Sequence, residues 1–237
     1  HYPSNIKIAR AITAQEAKLD KDQKSTVYVP DLAKDLLEQI SFEARESEFV
    51  DAKSGVSARM TISAYENLLS SAERRCLLAN EEKTTIRLSD FMGIIPSLTG
   101  KVELVYEGEQ EGAASVALNL IGSAIKTMLP TYFPKISTLE KEKETTAYSA
   151  LLEWFYTQSG FELLDNATEK EYQNTLDSIE PLTQFLKKHQ SAIDKKDMYF
   201  WKEFVLWALV EYKKLSKNRM TEGYQINDLF GSYINKL

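Results

Sequence analysis

Between Ser57 and Asn80, the residues Ile62, Tyr65, Leu68, Leu69, Ala72, Cys76 and Leu77 recur at steps of three and four, the spacing that lines up one face of an α-helix. Gly55 breaks the pattern on its amino-terminal side. A long helix with one apolar face needs other elements to cover it, so the rest of the chain must supply them. Ile6 to Leu19 places Ile8, Ile12 and Leu19 on one side of a helix, and Pro30 to Ser47 carries Leu32, Leu36, Leu37 and Ile40 at helical spacing. Val27, Tyr28 and Val29 predict a short extended piece between the two, with Pro30 opening the second helix.

Ser89 and Asp90 read as the cap of a short helix ending near Pro96. From Lys101 to Tyr106, Val102, Leu104 and Tyr106 alternate with Lys101, Glu103 and Val105, which predicts a strand. Glu107 to Gly112 reads as an acidic turn, and Ala113 to Met128 as a buried helix rich in small residues. Pro130, Pro134 and the charged run Glu140 to Thr146 suggest a hinge. Beyond it, helices are predicted at Ala147 to Gln158, Glu169 to Gln190, Lys196 to Leu215 and from about Tyr224, with Thr168 and Glu171 in capping-box spacing. With only 9 Gly and 6 Pro in 237 residues, the fold class is mainly α.

A net charge of −6 argues against general nucleic-acid binding, which draws its affinity from Lys and Arg on phosphates. No run of roughly 18 consecutive apolar residues exists to predict a membrane span. The single cysteine, Cys76, excludes an intramolecular disulfide and fits a reducing compartment, so a cytoplasmic location is expected. A chain that opens at His1 with no signal-peptide pattern reads as the interior of a longer polypeptide.

Little in the sequence points to chemistry carried by this chain alone. There is no G-x-x-x-x-G-K-[ST] loop to cradle phosphates, and His1, His189 and Cys76 do not make a zinc set. No catalytic or metal-ligating residue is assigned. Cys76 sits on the apolar face of its helix, where a buried inert thiol is the ordinary outcome. Glu43, Glu46, Glu48 and Asp51, interleaved with Arg45 and Lys53, read as a solvated face.

The remaining signal is Ser54-Gly55-Val56-Ser57-Ala58-Arg59 at the entry of the long helix, preceded by Phe42-Glu43-Ala44-Arg45-Glu46-Ser47-Glu48 and followed by Thr61-Ile62-Ser63-Ala64-Tyr65-Glu66-Asn67. This resembles the lid domain of MoxR and magnesium-chelatase-like AAA+ ATPases. Similarity continues through Ala72-Glu73-Arg74-Arg75, Ile86 to Asp90 and Gly100-Lys101-Val102-Glu103-Leu104. More loosely, Leu152-Glu153-Trp154-Phe155, Glu171-Tyr172, Glu203-Phe204-Val205-Leu206 and Lys214-Leu215-Ser216-Lys217 are similar to the carboxy-terminal extension of the chelatase-like branch. His1-Tyr2-Pro3 is similar to the segment joining core and lid.

The resemblance implies an AAA+ lid-type helical bundle with a short strand or hairpin over residues 1–130, a hinge at 131–146 and a helical extension at 147–237. It places Arg59 at the sensor-2 position of a Gly-x-Ser-x-Arg turn, with Gly55 and Ser57 completing a nucleotide-binding element. ATP and Mg2+ would be held by a core domain upstream, because the family's Walker A, Walker B, sensor-1 and arginine-finger elements are not in this chain. The implied partners are that core, neighbouring subunits of a ring and a protein with a von Willebrand factor A domain. The implied work is ATP-driven remodelling or metal insertion. Read without the resemblance, Arg59 is a surface arginine paired with Glu43 or Glu46. The alternative function is a nucleotide-independent helical adaptor using the aromatic groups Trp154-Phe155, Tyr199-Phe200-Trp201 and Trp207, which read more simply as core. Arg74 and Arg75 could face a neighbouring subunit or pair with Glu66, Glu73 or Glu81.

Overall fold

The computed structural model describes residues 3–136, 146–158 and 160–229. Its architecture is mainly helical, with eleven α-helices among the described residues, one parallel pair of short strands and one three-stranded antiparallel sheet. The chain divides into two compact units, with the division falling between Ala124 and Ile125. The segment 137–145, within the predicted hinge, and the first two residues of the predicted joining segment lie outside the described residues.

The first unit is built on three helices: α1 (Ile6–Glu16), α3 (Asp31–Glu46) and α4 (Ala58–Leu78). Asn5 caps α1 by accepting from the Ile8 amide at 3.0 Å, which satisfies one of the donors that a helix start leaves open. Helix α1 turns a different side inward from the one its apolar residues predict: Ala9 and Thr13 are buried while Ile8 is exposed. The small side chains let α1 approach α3 and α4, and Arg10 anchors it through Asp31 at 2.6 Å and Asp35 at 2.8 Å. Helix α3 buries Leu32, Leu36, Leu37, Ile40 and Ala44. Helix α4 buries Met60, Ala64, Leu68, Leu69, Ala72 and Cys76, but Leu77 is 70% exposed, against its predicted place on the inner face.

A short helix that the sequence does not announce, α2 (Lys21–Thr26), leads into β1 (Val27–Tyr28), which pairs in parallel with β2 (Thr84–Thr85). A 3-10 stretch (Leu88–Ile94) and α5 (Ile95–Thr99) follow. Here Asp90 accepts from the Arg87 amide at 2.8 Å, so Arg87 rather than Ser89 holds the cap position. Gly93 permits the close approach to α4, since a Cβ there would meet Ser71 Oγ at 2.5 Å.

The strand predicted over Lys101 to Tyr106 reduces to an isolated antiparallel bridge between Val50 and Leu104. Tyr106 opens α6 (Tyr106–Glu111), a helical turn where an acidic loop is predicted. Val105 reaches the Phe49 carbonyl at 3.1 Å and no further, because α6 begins at once and ends the extended stretch. Helix α7 (Ala113–Tyr132) then runs across the boundary between the units. By length and composition α7 is long and apolar enough to cross a membrane, a candidate that the apolar-run criterion misses, and half of its most apolar window is buried.

The second unit combines helices with a sheet, which corrects the expectation of a purely helical extension. Its helices after α7 are α8 (Ser149–Thr157), α9 (Glu169–Asp177), α10 (Glu180–His189) and α11 (Met198–Glu211). The strands β3 (Phe161–Leu164), β4 (Leu215–Met220) and β5 (Gly223–Asp228) form a sheet in the order β3-β5-β4. The single helix predicted over Glu169 to Gln190 is two, because Pro181 lacks an amide proton and its ring opposes the carbonyl of Asp177. Helix α11 stops at Glu211, and the segment from Tyr224 is a strand rather than a helix.

Helix α11 is the centre of this core: Phe200, Phe204, Val205, Leu206, Ala208 and Leu209 are all buried. Its two buried charges are both engaged, Lys202 on Asp177 at 2.5 Å and Glu203 as acceptor from the Tyr172 hydroxyl at 2.8 Å. Phe155, Phe200 and Trp207 of the aromatic groups are buried in the core, whereas Trp154, Tyr199 and Trp201 are half-buried.

Candidate functional site

The turn that precedes α4 is organised by short hydrogen bonds from its own residues. Asp51 accepts from the Lys53 amide at 2.9 Å and from the Ser54 hydroxyl at 2.9 Å. Those donors, the amide first, hold its carboxyl below the usual aspartate range. The Ser54 hydroxyl, with one hydrogen to share, also contacts the Glu103 carboxylate, which ties the turn to the segment beside the Val50–Leu104 bridge. Gly55 has φ +68°, a left-handed conformation that glycine adopts without steric cost. Val56 is fully buried and pins the chain as it enters the helix.

Ser57 is the N-cap of α4, accepting from the Arg59 amide at 3.2 Å, and its carbonyl accepts from the Met60 amide at 2.9 Å. The first turn carries no acidic residue, so nothing there offsets the positive end of the helix dipole. Arg59 is exposed. Its guanidinium makes no ion pair or side-chain hydrogen bond among the described residues. The carboxylate of Glu43, one of the two acids that could have held it, accepts from Gln39 at 2.8 Å.

Gly55 and Ser57 line a shallow cavity of about 350 Å3 together with Pro3, Ser54, Ala58, Lys101 and Glu103. Arg59 is not among its lining residues. Two of the pieces suit a phosphate group, an uncommitted guanidinium and a helix start without acids, while Lys101 belongs to the cavity that Arg59 does not line. Glu103, also in the lining, opposes an anion in the cavity itself.

A larger cavity, about 800 Å3, lies against α1, α3 and α4, with Ile6, Arg10, Thr13, Leu37, Glu38 and Tyr65 among its walls. Glu38 is a carboxyl with 2% of its surface exposed, and burial raises it above the usual glutamate range. Sequence periodicity gives no sign of it, because position 38 falls among solvent-type residues on a helix whose apolar face is otherwise regular.

Arg75 and Arg74 separate. Arg74 is exposed, whereas Arg75 is buried and paired with Asp90. It is therefore a structural cation rather than one facing a neighbouring subunit. Cys76 is buried, with its sulfur 3.1 Å from the Glu81 carbonyl. Among the described residues there is no cluster of three or more His, Cys, Asp or Glu side chains able to hold a metal ion. A comparison with family models, curated proteins and solved structures finds no match.

Proposed function

We propose that this chain is the lid and carboxy-terminal extension of an AAA+ ATPase of the MoxR and magnesium-chelatase type, sensing nucleotide through Arg59. The observation that carries the reading is an exposed arginine with no acidic partner among the described residues, in the first turn of a 21-residue helix, directly behind a Gly-x-Ser cap. A guanidinium so placed adds a forked donor to the positive end of a helix, the combination suited to phosphate oxygens. Pro3 lines the same cavity as Gly55 and Ser57, so a core domain joined at that end of the chain would be tethered beside the cap of α4.

ATP and Mg2+ would be held by that core, which supplies the hydrolytic chemistry. The residues of this chain bind and orient: Ser57 fixes the helix start, Gly55 lets the loop turn away, and Arg59 favours the closed arrangement while the terminal phosphate is present. Loss of that phosphate weakens the attraction, and the angle between lid and core relaxes. Neighbouring subunits of a cytoplasmic ring are the proposed contacts, and remodelling of a client or metal insertion is the proposed work. ATPase assays on the complete protein with and without Arg59→Ala test the reading: reduced turnover and weaker nucleotide binding support it, and unchanged values of both overturn it.

A further inference from the structure

The Thr13 hydroxyl of α1 lies within hydrogen-bond reach of two groups, Glu38 Oε1 of α3 at 2.6 Å and the hydroxyl of Thr61 in α4 at 3.3 Å. Thr61 donates in turn to the Ala58 carbonyl at 3.0 Å. All three side chains are buried, and the chain of contacts ends on the peptide unit that leads into Arg59. One line of hydrogen bonds therefore connects α1 and α3 to the first turn of α4.

The proton count of this line is informative. With Glu38 ionised, two hydroxyl hydrogens must serve three contacts, and one contact is left without a donor. A protonated Glu38 supplies the missing hydrogen: the carboxyl donates to Thr13, Thr13 to Thr61, and Thr61 to Ala58. Desolvation favours that neutral form, and the hydroxyls of Thr13 and Thr61 and the cations Arg45 and Arg10 oppose it. The other charged or titratable groups around the cavity are Lys7 on α1, Lys34 and Asp35 on α3, and Tyr65 on α4; Asp35 is committed to Arg10 at 2.8 Å.

We propose that Glu38 is a positioning residue for Arg59, fixing the first turn of α4 through Thr13 and Thr61, with the carboxyl proton completing the line. The inference rests on the nucleotide-sensing reading for its purpose, but its structural core is measurable without nucleotide. A lid whose sensor turn is held rigid delivers Arg59 to a phosphate in one geometry, and the proton on Glu38 sets that rigidity.

Amide hydrogen exchange on the full chain, corrected for intrinsic pH dependence, tests it at Arg59, Met60 and Thr61. Thr13→Val should raise exchange in this turn roughly five- to tenfold, the size of one lost hydrogen bond, with Leu68 to Cys76 unchanged. Thr13→Ser keeps the hydroxyl and should restore protection. Glu38→Gln, whose amide can donate as the acid does, should retain protection and abolish its fall as pH rises through the Glu38 titration. Unchanged exchange in Thr13→Val, or an equal rise along all of α4, overturns the relay. A normal relay combined with a silent Arg59→Ala ATPase profile instead overturns the nucleotide-sensing reading and removes the purpose assigned to Glu38.

Discussion

The Arg75 guanidinium grips the Asp90 carboxylate with two donors, Nε on Oδ1 at 3.1 Å and Nη2 on Oδ2 at 2.8 Å, with both side chains about 4–5% exposed. Arg75 also reaches the Thr84 hydroxyl at 2.7 Å and the Thr85 carbonyl at 2.9 Å. Through this pair α4 holds β2 and the 3-10 stretch in place, with Nε, Nη1 and Nη2 of Arg75 each donating within the fold. An ion pair out of water is costly to form but costlier to break, because the survivor is left buried and charged.

Asp90→Asn or Arg75→Met should each lower stability by about 3–5 kcal/mol, read as a reduced denaturant midpoint at unchanged slope. The double change Arg75→Met with Asp90→Leu should recover much of the loss. Additive losses would mean that the pairing is not what matters there.

Gly223 opens β5 with φ +144°, and a Cβ at that position would meet the Leu163 carbonyl oxygen at 2.2 Å. Gly223→Ala should open the β3–β5 pairing and cost at least about 1–3 kcal/mol from backbone strain alone. Exchange at the amides of residues 161–164 reports it directly. Wild-type protection there would contradict the register in which Leu164 faces Gly223.

Lys217 on β4 places its Nζ 3.3 Å from the centre of the Trp207 ring. Burial pushes the ammonium down to about 8, against the pull of Glu211 and Glu203, while the ring favours the charged form. With a folded pKa below the unfolded one, the native state sheds its proton first, so this group contributes rising stability from about pH 8 towards the ordinary lysine value. An NMR titration of the Lys217 ammonium should have its midpoint near 8, and Lys217→Met should remove the rise. A midpoint at the ordinary lysine value would show that the ring outweighs burial.

Thr168 accepts from the Glu171 amide at 3.3 Å while the Glu171 carboxylate accepts from the Thr168 amide at 2.9 Å. That bond and the Thr168 hydroxyl hold the Glu171 carboxyl below its usual range. Thr168→Ala should cost about 1 kcal/mol, seen as faster exchange in the first turn of α9. No change there would leave the cap without an energetic role.

The helical unit was legible where periodicity and burial coincide. Leu36, Leu37, Leu68 and Leu69 repeat at helical spacing and are buried as their spacing implies, and the Thr168–Glu171 capping box is present. Local pattern failed where a side chain's setting is decided by distant partners. Thr13 and Glu38 look solvated in sequence, yet both are buried and hydrogen-bonded to each other. The β4–β5 hairpin was missed because Ser216 to Met220 offers no apolar alternation, and its pairing rests on β5, whose partners lie on both sides. At the candidate site the residues Gly55, Ser57 and Arg59 were identifiable from their motif, but the absence of an acidic partner for Arg59 among the described residues depends on three-dimensional placement.

The most direct measurement is the steady-state ATPase rate of this chain joined to the proposed core domain, for wild type and Arg59→Ala. The account predicts a fall of at least roughly tenfold in turnover, since a charge-assisted contact to a phosphate oxygen is worth about 1.5–3 kcal/mol, with Ser57→Ala giving a smaller loss by loosening the cap. Equal turnover and equal nucleotide affinity in wild type and Arg59→Ala would contradict it.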